Sequence, residues 1–289
     1  DINWRGVKVD MELVDAALQC NDEIVEKATV SSARLTGLDN PNSTLQLKDW
    51  LSNRLGYEIE TMRKDDVSSL LEQDIPSDVR KVLQNRQVLG NSSIKKYLAM
   101  KNAVCSDGRI HGMLQFYGAM RSGRWAGRVV QLQNLPRNYL EDLDTAREVL
   151  KSRDVEMLDL LYGNPGDVIK QLIRTALVAE DGHRFIVADF SAIEARVIAW
   201  LAHEQWRQDV FAQGGDIYCA SASSMFHVPV EKHGVNGHLR QKGKVAELAL
   251  GYGGGVGAMK AMDTKGEIPE KELPGIIEAW RQASPRITR

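Results

Sequence analysis

Three segments of this 289-residue chain carry side chains whose types and spacing could do chemistry. The first is Asp189-Phe190-Ser191-Ala192-Ile193-Glu194-Ala195-Arg196. It follows the apolar run Phe185-Ile186-Val187-Ala188, which reads as a buried strand, and it precedes a helix expected from Ala192 to His203. A carboxylate delivered at the end of a strand sits where magnesium sites for phosphate chemistry are commonly built. An ordinary structural reading exists beside this one. Ser191 and Glu194 have the S-x-x-E spacing of a helix capping box, and Asp189 could be a turn residue.

The second segment places Arg240, Lys244, Leu248 and Tyr252 at steps of four on an expected helix from Arg240 to Tyr252. At 3.6 residues per turn this spacing makes a slowly winding stripe. Two cations one turn apart can grip a polyphosphate, Arg as a fork and Lys as a point charge and proton donor. Leu248 and Tyr252 could then hold a flat base. Read as surface, the same helix offers Glu247 beside Lys244 in a common exposed charge pattern. Gly253-Gly254-Gly255 stops the helix, and neither G-x-x-x-x-G-K-[ST] nor G-x-G-x-x-G occurs.

The third runs from Ser122-Gly123-Arg124-Trp125-Ala126-Gly127-Arg128 into Gln131-Leu132-Gln133-Asn134-Leu135-Pro136-Arg137. Its glycines permit close backbone approach, and Arg, Gln and Asn can donate to the minor-groove acceptors that every base pair presents. A surface hairpin without a ligand is the alternative.

The elements that must position these residues follow from periodicity and composition. Helical spacing recurs in Leu13-Val14-Ala17-Leu18, in Leu45-Leu47-Trp50-Leu51-Leu55 and in Val79-Val82-Leu83-Val88-Leu89, the last opened by Pro76-Ser77. Arg109 to Arg137 predicts strands or structured loops, and Asn164-Pro165-Gly166 predicts a turn before the periodic Val168-Ile169-Leu172-Ile173. The fold class is therefore α+β and mostly helical. With 43% apolar and 26% charged residues the chain is globular, and no apolar run is long enough for a membrane span. Cys20, Cys105 and Cys219 lack zinc or disulfide-framework spacing, which fits a reducing, cytoplasmic setting.

Charge is segregated although the net value is only −2. Val79 to Lys101 holds Arg80, Lys81, Arg86, Lys95, Lys96 and Lys101 and no acid; Gly108 to Arg137 holds Arg109, Arg121, Arg124, Arg128 and Arg137 and no acid. Acids gather at Glu58 to Asp78 and Glu141 to Asp159. A basic track on an acidic body is the footprint of a phosphate-gripping surface, or else a set of solvated helix faces.

Taken in order, these segments resemble the polymerase domain of the family A (DNA polymerase I-like) DNA polymerases. Asp189 to Arg196 resembles motif A, D-[YF]-S-x-I-E-x-R, and Arg240 to Gly253 resembles motif B, R-x3-K-x7-Y-G. Gly123-Arg124 with Leu132-Gln133-Asn134-Leu135-Pro136 is similar to the primer-binding segment, preceded by Asp107-Gly108-Arg109-Ile110-His111. Asp216-Ile217-Tyr218 with Ala220 is similar to the D-I-H-x-x-[AT] element. The likeness is strong over roughly residues 79 to 260.

The resemblance implies a right-hand architecture. Residues 1–10 would start the palm, 11–104 form a helical thumb, 105–202 continue the palm, and 203–289 form incomplete fingers. It implies template-directed, magnesium-dependent transfer of deoxynucleotides from their triphosphates to a primer 3′-hydroxyl, with primer-template DNA as partner. Asp189 and the carbonyl of Phe190 would hold two Mg2+ ions. Glu194 would be a steric gate against the 2′-hydroxyl. Arg240 and Lys244 would clamp the triphosphate, with Lys244 as proton donor to pyrophosphate. Tyr218, Leu248 and Tyr252 would also touch the nucleotide, Tyr252 beside the nascent base pair. Arg124, Gln133, Asn134 and Arg137 would touch the DNA, and Arg109 a backbone phosphate.

Four departures accompany the likeness. Tyr218 stands where the family has His, and Leu248 where it has Phe or Tyr. Asn138 to Pro165 is longer than the usual connection, a phage-like trait, and no His-Asp-Glu of motif C occurs. The chain is therefore expected to be an interior portion of a larger phage or prophage enzyme, inactive alone. Two other readings stand beside this: a non-catalytic DNA-binding fragment, and a relative of the single-subunit RNA polymerases, against which Glu194 speaks.

Overall fold

The computed structural model describes every residue except Ser92, Arg121, Lys265 and Arg289. Arg121, counted above in the basic track, thus lies outside the described residues. The chain divides into two compact units, Asp1–Phe185 and Ile186–Arg289.

The first unit begins with a short helix α1 (Ile2–Arg5), strand β1 (Val7–Val9) and the long helix α2 (Met11–Thr36). Helices α3 (Thr44–Leu55), α4 (Lys64–Leu71), α5 (Ser77–Leu89) and α6 (Ile94–Ala103) follow. Next come β2 (Arg109–Ile110), β3 (Leu114–Ala119), β4 (Arg124–Gly127), α7 (Leu143–Lys151), α8 (Val155–Tyr162), α9 (Pro165–Leu172) and β5 (Leu177–Val178). The expected helices form where the apolar spacing placed them, and Pro76 is the N-cap of α5. Asn164-Pro165-Gly166 is a helix start rather than a separate turn. The Asn164 side chain caps α9 by accepting from Asp167 N, and Pro165 takes the first helical position, where its missing N–H costs nothing.

Strands β2, β1 and β5 form an antiparallel sheet in that order, while β3 and β4 make a separate hairpin. One core joins Leu13, Val14 and Ala17 of α2 to Tyr97, Ile110, Leu150, Leu158 and Leu172. A second, built on Leu47, Leu51, Val67, Val79 and Leu83, packs α3 to α5. Asp10 ties the first core together: it caps α2 at Leu13 N and accepts from Arg147 (2.7 Å) and Lys151 (3.0 Å). Partial burial of Asp10 opposes ionisation, yet these donors hold its carboxyl below the usual range.

The second unit contains α10 (Ile193–Leu201), α11 (Gln205–Ala212), α12 (Ile217–Phe226), α13 (Leu239–Leu250), α14 (Val256–Met262) and α15 (Leu273–Ala283). Its core gathers Val245, Ala246, Ala249, Met259, Ile276, Ile277 and Trp280. Helices α12 and α13 approach closely because residue 243 is glycine; a Cβ there would collide with the carbonyl of Tyr218.

Two expectations fail around motif A. Phe185-Ile186-Val187-Ala188 forms no strand: the run is irregular and exposed, and no strand among the described residues pairs with it. Four apolar residues cannot satisfy their own backbone donors and acceptors; a neighbouring strand must do so. Asp189 consequently stands on irregular chain and not at a strand end. The Ser191/Glu194 capping box is also absent. The N-cap is Ala192, at φ 50°, with no side-chain cap, so the helix starts one residue too late for the box spacing.

Candidate active site

Helix α13 presents Arg240, Lys244 and Leu248 on the side away from the core residues Val245, Ala246, Ala249 and Leu250. Tyr252 lies in the turn just past the helix end, which comes at Leu250 and not at Tyr252. A cavity of about 370 Å³ opens between α10 and the end of α13. Glu194, Tyr218, Leu248 and Tyr252 all line it, with Val197, Ile198 and Leu201 completing an apolar wall. Asp189, Phe190, Arg240 and Lys244 are not among its walls.

Arg240 is held by Asp216. Its Nε and Nη2 both reach Asp216 Oδ2 at 2.8 Å, while Asp216 Oδ1 accepts from the backbone N–H groups of Tyr218 (2.9 Å) and Cys219 (3.3 Å). One carboxylate therefore caps α12 and fixes the guanidinium, which lies 5.3 Å from the Tyr218 ring centre. Burial, then the charges of Asp216 and Glu247, push the Tyr218 phenol above its usual pKa, so Tyr218 is a neutral hydrogen-bonding group at physiological pH. Lys244 is exposed and makes no hydrogen bond or ion pair with another described residue.

The opposite side of α13 is closed. Glu247 is buried, not an exposed partner of Lys244: its Oε2 accepts from Arg207 Nη1 (2.6 Å) and its Oε1 from Trp280 Nε1 (2.8 Å). Arg207 is fully buried, donates to Ser284 Oγ (2.7 Å) and lies between the Trp206 and Trp280 rings. Its Nε finds no partner among the described residues. This network joins α11, α13 and α15 and fixes which face α13 turns outward.

The DNA-side expectations lie in the first unit. Arg124 is exposed on β4, and Gln133, Asn134 and Arg137 are exposed on the segment that follows, where Leu132–Asn134 makes a single 3-10 turn. Arg109 has partners within the first unit. It donates to the carbonyl of Arg5 (2.9 Å) and pairs with Glu180, so it bridges α1 and the chain after β5.

Residues 12–289 match the sequence model described as DNA polymerase family A. The chain belongs to DNA polymerase family A. Over its full length it is 51% identical to the DNA polymerase of Bacillus phage SP02, covering 45% of that protein. Half of the chain is 35% identical to the thermostable DNA polymerase I of Thermus thermophilus, covering 16% of it. In structure it resembles the POL domain of Pol1 from M. smegmatis, solved in complex with DNA primer-template and dNTP. The TM-score is 0.62 at 22% identity, over 98% of this chain and 45% of that one. The mostly helical α+β fold is thus that of a family A polymerase domain, of which this chain spans less than half the length of the relatives named. Among the described residues no helix is long and apolar enough to cross a membrane.

Two features around α13 carry no role in the sequence reading. Asp216 was legible in principle, since an Asp directly before an apolar helix is an N-cap signal. The Arg207–Glu247 pair joins residues 40 positions apart, and no local spacing marks it.

Proposed function

We propose that this chain carries the nucleotide-binding part of a template-directed DNA polymerase, a nucleotidyltransferase acting on primer-template DNA and deoxynucleoside triphosphates in a bacterial or phage-infected cytoplasm. The observation that carries the reading is the arrangement on α13: two cations outward on one face, running into a cavity walled by Glu194, Tyr218, Leu248 and Tyr252. Residues 1–10 and 105–202 are assigned to the palm, 11–104 to the thumb and 203–289 to the fingers.

In this reading Arg240 forks onto the triphosphate from a position set by Asp216, and Lys244 neutralises charge and hands a proton to the departing pyrophosphate. Leu248 and Tyr252 hold the sugar and base by apolar contact. Glu194 narrows the cavity where a 2′-hydroxyl would enter. Arg124, Gln133, Asn134 and Arg137 touch DNA. Arg109 contacts a backbone phosphate, and like Arg240 it starts from a half-exposed carboxylate partner, here Glu180, that an incoming phosphate can replace.

Family A polymerases are metal-dependent. The two magnesium ions of the complete enzyme, when bound, supply Lewis-acid activation and charge neutralisation in an in-line displacement. Asp189 and the Phe190 carbonyl fit as part of their ligand set only. Among the described residues no group of three or more His, Cys, Asp or Glu side chains is placed to hold a metal ion, and one exposed carboxylate does not hold two. That same observation favours a second reading for the 289 residues alone, a non-catalytic DNA-binding fragment.

Primer extension separates the readings. The complete polymerase should lose extension by at least about a thousandfold on Asp189→Ala, as expected for removing a group that acts on the transition state. Retained extension contradicts the assignment. Robust extension by the 289-residue chain contradicts the second reading.

A further inference from the structure

The hairpin of β3 and β4 carries a feature that the minor-groove reading does not use. Gln115 pairs with Ala126, and the next cross-strand positions bring Phe116 against Trp125, ring centres 5.3 Å apart and 70° between planes. Tyr117 joins them at 6.3 Å from Phe116. All three rings are exposed, Phe116 by 70% and Trp125 by 49%. The register breaks between Gln115 and Ala119, and Tyr117 has φ 51°. Its ring lies against Gly123, at φ 66°, where any Cβ would strike it. The bulge is thereby packed on itself, and the hairpin holds an aromatic face out into solvent.

Single exposed apolar side chains are ordinary, but adjoining exposed rings mark a contact surface. Its charge says which kind. Gly108 to Arg137 contains no acid, and Arg124 and Arg128 flank Trp125 in sequence, both exposed. Arg128 donates to the Gly127 carbonyl (3.2 Å) and to the Gln115 side chain, neutral acceptors that hold it on the hairpin and leave its charge uncompensated. Two copies of so basic a hairpin repel one another, which disfavours self-association. Gln131, Gln133 and Asn134 follow directly and are exposed, supplying amide donors and acceptors that base edges use and a lipid surface does not. Ring faces are offered to unstacked bases, since in a duplex the faces are already occupied by neighbouring pairs.

We propose that Phe116 and Trp125 form a stacking platform for an unpaired stretch of single-stranded DNA, with Arg124 and Arg128 holding its phosphates. The platform uses no residue assigned above to the nucleotide or to a metal, so its failure is distinguishable from failure of the catalytic reading.

The test is binding of a fluorescently labelled oligothymidylate of about ten nucleotides, without metal or nucleotide, followed by anisotropy. The double variant Phe116→Leu/Trp125→Leu keeps an apolar cross-strand pair but removes the ring faces. It should bind about five- to a hundredfold more weakly, as expected for losing one stacked base. Trp125→Phe should retain most of the affinity, and blunt duplex should bind all variants alike. Unchanged oligothymidylate affinity in the double leucine variant overturns the proposal. So does an equal loss for blunt duplex, or a loss confined to anionic vesicles or to self-association.

Discussion

Two arginine–carboxylate pairs meet helix α13 and differ in almost everything but their chemistry. On one face Arg207 and Glu247 are buried, 0% and 3% exposed at their side chains, and share further bonds with Trp280 and Ser284. On the other, Arg240 and Asp216 keep 25% and 28% of their side-chain surface in solvent. A buried pair cannot trade partners, because an unpaired charge left in the interior is costly; a half-exposed one can, because water and incoming anions substitute for the carboxylate. The helix is thus held by its back, and its front is left open to solvent. In the first unit His111 and Asp107 form a third, more open pair at 2.9 Å, with side chains 33% and 49% exposed.

Removing one partner from each pair should give effects ordered by burial. Glu247→Ala leaves Arg207 buried without its carboxylate and Trp280 Nε1 without its acceptor. Chemical denaturation should show a loss of about 3–5 kcal/mol, and a loss under about 1 kcal/mol would erase the contrast between the two faces. Asp216→Ala removes the cap of α12 together with the anchor of Arg240. It should cost about 1 kcal/mol of stability, chiefly the cap, while Asp216→Asn keeps a capping oxygen and should cost less. If the two variants are equally destabilised, the cap is not what Asp216 contributes to the fold.

The smallest effect belongs to His111. The hydrogen bond that its Nε2 donates to the Asp107 carboxylate raises its pKa above the ordinary 6.5, and the same contact lowers Asp107 below 3.8. A raised histidine contributes stability that is complete below 6.5 and fades as pH climbs through the raised value; the lowered Asp107 contributes above 3.8 and fades as pH falls through its own. The link from His111 Nδ1 to the Trp4 carbonyl, 2.7 Å, should therefore be firmest in mildly acidic solution. The His111 ring resonances followed by NMR from pH 5 to 9 should titrate with a midpoint above 6.5; a midpoint at or below 6.5 would contradict the pairing.

How much of this could be read from sequence depends on how local each cause is. Val79, Val82 and Leu83 reveal α5 because helical periodicity and a Pro76 start act within one segment. The stripe Arg240, Lys244 and Leu248 was legible for the same reason, and only the last half-turn to Tyr252 was overextended. Phe185 to Ala188 was misread because a short apolar run says nothing of whether a partner strand is present. The alternative reading of α13 as a surface helix pairs Glu247 with Lys244, its neighbour in sequence; its neighbour in space is Arg207. The partners of Arg109 were equally out of reach of sequence: the carbonyl of Arg5 and the carboxylate of Glu180 are distant along the chain.

The division of labour on α13 is tested most directly by Lys244→Met, scored for stability and for phosphate binding together. Lys244 is exposed and pairs with no described residue, so thermal unfolding should move by no more than about 0.5 kcal/mol. Affinity of the chain for inorganic tripolyphosphate, measured by calorimetry, should fall about tenfold, the loss of one charge-assisted contact. Unchanged affinity, or a loss of stability as large as that of Glu247→Ala, would contradict the account.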